Sequence, residues 1–268
     1  MPEAEASVIA PQDVVLELRG ITKSFGAVRA LRGVDLQLRR GELLGLVGDN
    51  GAGKSTLTKI LSGAYTPDSG TILMNGDVVR IHSPRDAHRL GIEMIYQELA
   101  LFDNLDVASN LFVGREKVLW GDFVDKKTMW DEAAKVLARM QTNIASPKLL
   151  VERMSGGQRQ MIACARCVEF DSKILLMDEP TAALGVREAN TLLEFINRLK
   201  GAHSIILITQ RIPDVLAIAD RVMVMKGGMS QGVLDVSKVT LDDVVSLIVK
   251  GRENGSQPTE DLRVMSFG

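Results

Sequence analysis

A glycine-rich segment between an apolar run and a helical pattern most strongly limits how this 268-residue chain can fold. Residues 48–55 read Gly-Asp-Asn-Gly-Ala-Gly-Lys-Ser, which matches the spacing G-x-x-x-x-G-K-[ST]. Residues 43–47 form the apolar run, and Leu57, Ile60 and Leu61 follow at helical spacing. A strand, a glycine loop and a helix in this order predict a phosphate-binding loop. The alternative is a glycine-rich turn that holds no ligand.

The chemistry of this loop assigns roles to its residues. Glycines let successive backbone N–H groups surround a polyphosphate, and the helix N-terminus adds the positive end of a dipole. Lys54 is expected to reach the β- and γ-phosphates, and the Ser55 hydroxyl to ligate Mg²⁺. The candidate nucleotide-binding residues here are Gly48, Asp49, Asn50, Gly51, Ala52, Gly53, Lys54, Ser55 and Thr56.

Two acids follow a second apolar run, at residues 174–177. Such a run indicates a buried parallel strand, and α/β sheets bind ligands at the carboxyl ends of their strands. Asp178 is the candidate Mg²⁺ ligand, and Glu179 is the candidate general base that activates the attacking water. Taken alone, these acids could equally form a solvated turn.

The remaining patterns predict an α/β fold with two additions. Residues 43–47, 174–177 and 204–209 are short apolar runs, typical of parallel strands buried on both faces. Alternating patterns near residues 14–18 and 34–38, with a hairpin signal at Asn75-Gly76, predict an antiparallel sheet. Residues 88–159 are interpreted as a helical insertion between two parallel strands. Residues 1–13 and 251–268 are expected to be flexible tails.

Composition excludes several classes of protein. The chain is 46% hydrophobic, yet its longest apolar runs are far shorter than the roughly 20 residues of a membrane-spanning helix. A net charge of −2 argues against nucleic-acid binding through bulk electrostatics. The two cysteines, Cys164 and Cys167, cannot form a disulfide scaffold, and their C-x-x-C spacing is expected to reflect buried packing. The N-terminus lacks a secretory pattern, so a cytoplasmic protein is expected.

A third element reads Ser155, Gly156, Gly157, Gln158. Ser followed three residues later by Gln predicts a capping box at the start of a helix. A capped helix start with two glycines also exposes N–H groups suited to a γ-phosphate. Because this element lies on the helical insertion, we expect a second copy of the chain to bring it to the nucleotide.

These ordered motifs resemble the ATP-binding subunits of ABC transporters. Residues 95–98, 154–158 and 178–181 are similar to the Q-loop, the signature motif with Met for the usual Leu, and the Walker B end. Residues 48–50, 96–101 and 111–116 resemble the carbohydrate importer branch, which handles monosaccharides. Because the sequence contains one such module, it resembles the single-module, fructose-importer-like members of that branch.

The resemblance implies a P-loop NTPase core of the ABC ATPase type. Residues 14–87 and 160–250 form this core together with the antiparallel β-subdomain, and residues 88–159 form a helical subdomain. It implies ATP and Mg²⁺ as cofactors and a location on the cytoplasmic face of the plasma membrane. The expected partners are a second ATP-binding subunit in a homodimer, transmembrane permease subunits and, indirectly, an extracytoplasmic solute-binding protein.

The resemblance also assigns residues. Phe25 would stack on adenine, the alternative being a core aromatic, and Gln97 would contact Mg²⁺ or the attacking water. Gln210 stands where the family normally has a switch His. Its amide can donate a hydrogen bond to the γ-phosphate but cannot carry a proton or positive charge at neutral pH. Gly185 stands where an Asp often contacts the partner chain. Two alternatives remain open: an exporter or lipid-extracting ATPase, and a weakly hydrolysing ATP-dependent switch.

Overall fold

The computed structural model describes residues 13–96, 99–120, 123–169 and 172–251. Its strands are β1 (Val14–Phe25), β2 (Val28–Arg39), β3 (Leu43–Gly48), β4 (Ser69–Met74), β5 (Asp77–Val79), β6 (Ile92–Ile95), β7 (Ile174–Asp178), β8 (Ser204–Ile208), β9 (Arg221–Lys226) and β10 (Met229–Asp235). Its α-helices are α1 (Lys54–Leu61), α2 (Pro84–Arg89), α3 (Val107–Leu111), α4 (Lys126–Arg139), α5 (Gly156–Val168), α6 (Val186–Leu199), α7 (Ile212–Ile218) and α8 (Leu241–Lys250). Most of both expected tails, and Gln97, lie outside the described residues.

The smaller sheet is antiparallel, as the alternating patterns predict. Its strand order is β2-β1-β4-β5. Asn75 and Gly76 connect β4 to β5 with φ angles of 50° and 90°, and both lie in the left-handed region that this tight turn requires. The hairpin prediction is therefore confirmed.

The larger sheet has the order β10-β9-β3-β8-β7-β6, and only β10 runs antiparallel to its neighbour. The three predicted parallel strands are β3, β7 and β8, at the centre of this sheet. Because all three are parallel, their carboxyl ends meet at one edge.

Alternate residues of these central strands enter two different cores. On β3, Leu43 packs with the helices α3 to α8, whereas Leu44 packs with α1, α2 and the smaller sheet. On β7, Leu175 and Leu176 divide in the same way. Burial on both faces explains why these strands read as continuous apolar runs.

One strand corrects the sequence interpretation. Residues 88–159 were expected to be a helical insertion, but β6 lies inside this range and pairs in parallel with β7. The strand has four residues, and Glu93 interrupts its apolar pattern because β6 is the edge strand and is only partly covered. The helical part of this region therefore begins after β6, with α3, α4 and the start of α5.

Helix boundaries follow local capping signals. Ser155 caps α5 through a capping box with Gln158, as predicted, and Thr240 caps α8 in the same way with Asp243. In the described part of the chain, none of the helices combines the length and the apolar character needed to cross a membrane.

Candidate active site

An open cleft of about 370 Å³ lies at the carboxyl edge of β3, β7 and β8. The residues that line it come from four separate segments: Val28, Arg29 and Ala30; the loop and helix start from Asn50 to Thr56; Asp178 and Glu179; and Ile208 and Gln210. The structure therefore brings the glycine loop, both acids and Gln210 into one site.

Two glycines of the loop have no room for a side chain. A Cβ at Gly48, where φ is 149°, would lie 2.1 Å from the Met225 carbonyl oxygen. A Cβ at Gly53, where φ is 101°, would lie 2.7 Å from the Ala30 carbonyl oxygen. Glycine is required at both positions, because the loop backbone is pressed against neighbouring backbone.

Lys54 is folded back over the loop. Its Nζ donates to the carbonyl oxygens of Gly48 at 2.6 Å and Asp49 at 3.0 Å. Burial lowers the pKa of Lys54, while the nearby carboxylates of Glu179 and Asp178 act in the opposite direction. Gly48 and Asp49 do not line the cleft themselves. Their carbonyl oxygens hold the ammonium group of Lys54, which does line it.

The two acids are half-buried at the end of β7. Burial raises the pKa of Asp178, and the charges of Lys54 and Lys59 partly offset this rise. Burial also raises the pKa of Glu179, while bonds from the Gln210 backbone and the Thr209 hydroxyl oppose it. A carboxyl group with a raised pKa in a cleft is a better proton acceptor than a solvated one.

The backbone at Glu179 is unusual for a residue with a side chain. Its φ angle is 49°, in the left-handed region, and its N–H donates to the Ile208 carbonyl oxygen at 2.8 Å. Strained geometry of this kind persists only where the surroundings fix it, and such positions cluster at active sites. The end of β8 thus holds the Glu179 backbone in place.

Gln210 connects two parts of the site. Its Nε2 donates to Asn50 Oδ1 at 2.8 Å, so the segment after β8 is bonded to the glycine loop. The side chain is exposed on the cleft wall. Its amide can donate a hydrogen bond to a phosphate oxygen but supplies no charge.

Sequence reasoning missed a buried bond behind the acids. The Thr181 hydroxyl donates to Asp214 Oδ2 at 2.6 Å, and Arg211 Nε lies 3.4 Å from the same oxygen. Thr181 is two residues after Glu179, and Arg211 directly follows Gln210. This bond ties the turn after β7 to α7. Thr181 and Asp214 are 33 positions apart in the sequence, so no spacing pattern could have indicated this hydrogen bond.

Phe25 lies at the end of β1 and is 44% exposed, which excludes the alternative of a core aromatic. Its ring meets Tyr65 edge to face at a centroid distance of 5.2 Å, and Lys23 Nζ lies 5.7 Å from its centroid. Phe25 is not among the residues that line the cleft. The start of β2, at Val28 to Ala30, lines it instead, and no motif signalled those residues.

The Ser155 segment does not line the cleft of its own chain. Ser155 and Gly156 are exposed, Gln158 is half-buried and Gly157 is buried. A Cβ at Gly156 would approach the Leu184 side chain to 3.1 Å, so the segment packs beside the turn that follows the two acids.

The donors in the cleft suit Mg²⁺ held jointly with phosphate oxygens. The Ser55 hydroxyl and Asp178 carboxylate offer hard oxygen ligands, and Mg²⁺ typically takes one or two protein ligands plus substrate phosphates. Within the described ranges, no cluster of three or more His, Cys, Asp or Glu side chains could form an all-protein metal cage.

Both cysteines are buried within α5, as expected. Burial raises the pKa of the Cys167 thiol to about 12 and that of Cys164 further still. Thiols with such pKa values are inert at neutral pH, so the C-x-x-C spacing carries no redox chemistry.

The fold and the cleft define a P-loop nucleotide-binding cassette. A family model described as ABC transporter matches residues 31–182, more than half of the chain. The chain belongs to the ABC transporter family.

Its relatives include import proteins of two lengths. The xylose/arabinose import ATP-binding protein XylG of Sulfolobus acidocaldarius is 47% identical over 80% of this chain and 85% of XylG. The fructose import ATP-binding protein FrcA of Rhizobium meliloti is 40% identical over 90% of this chain and 96% of FrcA. The chain spans about half the length of the ribose import ATP-binding proteins that it matches, with 48% covered in one case.

Solved structures share the fold at lower identity. A dimeric ATP-binding cassette in a post-hydrolysis state, bound to ADP and Pi, superposes with a TM-score of 0.67 at 21% identity. The alignment covers 82% of this chain and 98% of that one.

Proposed function

We propose that this chain is the ATP-hydrolysing subunit of an ABC importer for a monosaccharide, with residues 14–250 as the ATP-binding unit. One observation carries the proposal: a single cleft holds Lys54, Ser55, Asp178, Glu179 and Gln210. The names of XylG and FrcA, which both describe import of sugars, support the transport direction and the substrate class over an exporter.

ATP enters the cleft with its phosphates on the glycine loop. Lys54 exchanges the Gly48 and Asp49 carbonyl oxygens for phosphate oxygens, and the N–H groups at the start of α1 face the same charge. Ser55 and Asp178 would hold Mg²⁺, which would supply positive charge opposite the phosphate oxygens.

Glu179 orients and deprotonates the attacking water. Its raised pKa brings its basicity closer to that required at neutral pH, and its fixed backbone limits where the carboxylate can reach. Gln97 is proposed to contact the metal or this water and to report the state of the site to the membrane subunits.

A second copy of the chain completes each site. The Ser155 segment presents a capped helix start and lies outside its own cleft, so the partner's segment is proposed to meet the γ-phosphate. Residues 155–158 of each chain then contact the ATP bound to the other. Phe25, exposed at the end of β1, is proposed to stack on the adenine ring.

The proposed complex lies on the cytoplasmic face of the plasma membrane. Transmembrane permease subunits carry the sugar, and an extracytoplasmic solute-binding protein delivers it to them. Closure of the ATP-bound dimer and reopening after hydrolysis drive the permease.

Gln210 favours a second candidate function, an ATP-dependent switch that hydrolyses slowly. Its amide is already bonded to Asn50 and adds no charge at the γ-phosphate. We propose that turnover is slow but real, because Glu179 and Lys54 remain in place.

Phosphate release at saturating Mg-ATP tests the proposal, with the chain alone and with the permease subunits that copurify with it. Steady release that rises when the permease is present supports an importer ATPase. A burst limited to one phosphate per site supports the switch. Lys54→Ala should abolish release, whereas Lys135→Ala, which changes an exposed lysine of α4, should not. Equal rates for both variants would contradict the proposed site.

Mixed dimers test the shared site. A Lys54→Ala chain and a Ser155→Arg chain should each be inactive alone. In a mixed dimer, the intact glycine loop of the Ser155→Arg chain faces the intact Ser155 segment of the Lys54→Ala chain, which gives one complete site. Recovery of activity on mixing supports the two-chain site, and its absence contradicts it.

A further inference from the structure

A second cavity lies at the opposite edge of the larger sheet from the nucleotide cleft. Its volume is about 370 Å³, at the lower end of the range for small-molecule sites, roughly 300–1,000 Å³. Ile174 and Ser204, the first residues of β7 and β8, line it. At the usual rise of a strand, β7 separates Ile174 from Asp178 by roughly 13 Å. We name this space the amino-edge cavity, and its polar side chains are those of Arg40, Asn75, Ser172, Lys173 and Ser204.

Backbone contacts fix the walls of the amino-edge cavity. The Gly201 N–H donates to the Gly41 carbonyl oxygen at 3.0 Å, and a Cβ at Gly41 would lie 2.9 Å from the Gly201 carbonyl oxygen. The Ser204 N–H donates to the Lys173 carbonyl oxygen at 3.0 Å, which joins the segments that precede β7 and β8. Because these walls are packed backbone, a ligand would have little of the protein to order on binding.

Two exposed cations at this cavity lack acidic partners. Arg40 directly follows β2, and its Nη2 donates to Asn75 Oδ1 at 3.1 Å. In the part of the chain that the structure describes, neither Arg40 nor Lys173 forms an ion pair. None of the described lining residues is acidic. The cavity therefore offers two positive charges to an anion.

Two buried hydroxyl groups beside these cations have unused hydrogen-bonding capacity. Ser172 is 4% exposed, and its Oγ has no hydrogen-bond partner among the described residues. Ser204 is equally buried, and its Oγ accepts from the Gly41 N–H at 2.9 Å, which leaves the hydroxyl proton to be donated. Buried polar groups normally have partners, and a ligand with several oxygen atoms would supply them.

These groups match a phosphate ester of a monosaccharide. A phosphate monoester carries a charge of about −1.5 to −2 at pH 7, and Arg and Lys are the side chains that bind phosphate. The Asn75 amide and the two serine hydroxyls suit sugar hydroxyl groups, while Val15 and Met74 offer apolar surface to the C–H groups. Within the described ranges, no aromatic side chain lines the cavity, so stacking of a nucleobase is not favoured.

We propose that the amino-edge cavity binds a phosphorylated monosaccharide. Arg40 and Lys173 bind the phosphate group, and the Asn75 amide and the serine hydroxyls bind sugar hydroxyl groups. The choice of sugar rests on the proposed function. Phosphoryl transfer from a nucleoside triphosphate to a hydroxyl group of the imported sugar is the class of reaction that would supply this ligand, with release of the nucleoside diphosphate and a proton. Its binding would report the internal supply of sugar from a site that ATP does not occupy.

Isothermal titration calorimetry on the full chain tests the inference. The nucleotide cleft is first saturated with the magnesium complex of a non-hydrolysable ATP analogue, so that the probes cannot enter it. The probes are fructose 6-phosphate and ribose 5-phosphate, compared with fructose, ribose and inorganic phosphate at equal ionic strength. The site variants are Arg40→Gln and Lys173→Gln. Their matched controls are Arg85→Gln and Lys135→Gln, which change an exposed arginine of α2 and an exposed lysine of α4.

We expect both sugar phosphates to bind more tightly than inorganic phosphate and at least about tenfold more tightly than the free sugars. Arg40→Gln and Lys173→Gln should each weaken binding of the sugar phosphates by roughly 5- to 20-fold, because each removes one charged hydrogen-bond donor. The control variants should stay within about twofold of the unchanged chain. Far-ultraviolet circular dichroism and binding of the ATP analogue report whether each variant has folded.

Ser172→Ala tests the sugar contact without breaking a bond of the described structure. It should weaken binding of the sugar phosphates by about two- to tenfold, the value of one hydrogen bond, and leave the affinity for inorganic phosphate unchanged. Its free energy of unfolding should not fall, because the buried hydroxyl has no described partner to lose.

Four results would overturn the inference. The sugar phosphates could fail to bind at millimolar concentrations. Both site variants could bind them as tightly as the unchanged chain. Inorganic phosphate could bind as tightly as the sugar phosphates, which would identify a general phosphate site. Binding could require an empty nucleotide cleft, which would assign the ligand to that cleft.

The proposed function and this inference can fail separately. The calorimetry requires neither permease nor ATP hydrolysis. A chain that hydrolyses ATP but binds no sugar phosphate contradicts only the inference. A chain that binds sugar phosphates in the amino-edge cavity but releases no phosphate from ATP contradicts only the proposed ATPase.

Discussion

The Gln210→His substitution tests the role of the one site residue whose chemistry departs most from the family pattern. Gln210 lies on the cleft wall, and its Nε2 reaches Asn50 of the glycine loop at 2.8 Å. A histidine there can donate the same hydrogen bond. When protonated, it also places a positive charge beside the phosphates.

The exposure of position 210 determines the size of the effect. A unit charge about 4 Å from a phosphate charge contributes about 1 kcal/mol at the dielectric constant of water, and a few times more in a closed cleft. Because Gln210 is exposed, the lower figure applies, and 1 kcal/mol corresponds to about a fivefold increase in kcat. Gln210→Ala loses one hydrogen bond, worth about 1 kcal/mol, and should lower kcat by a similar factor.

The pH dependence separates charge from geometry. A histidine has an ordinary pKa near 6.5, and a neighbouring phosphate raises this pKa. The increase in kcat should therefore be present at about pH 6 and be lost as the pH rises through the raised pKa of the histidine. The unchanged chain has no such group at position 210. Steady-state phosphate release is measured from about pH 6 to 8.5 for the unchanged chain, Gln210→His and Gln210→Ala. The comparison separates the effect of the positive charge from that of the hydrogen bond. A Gln210→His variant with an unchanged rate across this range would refute the assigned role.

Other residues give further predictions. Phe25→Ala should weaken ATP binding by roughly 5- to 160-fold, the value of one base-stacking contact, in a fluorescent-nucleotide titration, and Phe25→Tyr should restore it. Thr181→Val leaves buried Asp214 without its hydroxyl donor and should lower the free energy of unfolding by about 1–3 kcal/mol. The same variant should lower kcat without changing KM. Thr181→Ser keeps the hydroxyl and should change neither the stability nor kcat. Cys164 and Cys167 should resist maleimide at about pH 8 until the protein is denatured, and labelling of the folded protein would contradict their burial.

The local motifs predicted much of the site because the chemistry of each is contained in a few adjacent residues. The glycine loop requires Gly48 and Gly53 for steric reasons, and a strand of apolar residues ending in Asp178 and Glu179 brings two acids to the edge of a parallel sheet. Both arrangements depend on backbone geometry that nearby sequence controls.

Features that depend on distant contacts could not be predicted. The bond between Thr181 and Asp214 joins two loops that meet only when β7 and β8 pair. Strand β6 is short and lies at the sheet edge, so its pattern is too weak to distinguish from its helical surroundings. Trp120 reads as one apolar residue among several, and only the folded chain reveals that it is almost fully exposed.

Glu179 is proposed to be the general base of ATP hydrolysis, and the Glu179→Gln variant tests this role. The amide keeps the shape of the side chain but cannot accept the proton of the attacking water. Phosphate release should fall by roughly 10²- to 10⁴-fold, the usual contribution of a general base, while ATP affinity is retained. With ATP present, sedimentation should detect a stable dimer of twice the mass of one chain. A Glu179→Gln variant that hydrolyses ATP at a rate close to that of the unchanged chain would show that Glu179 is not the general base.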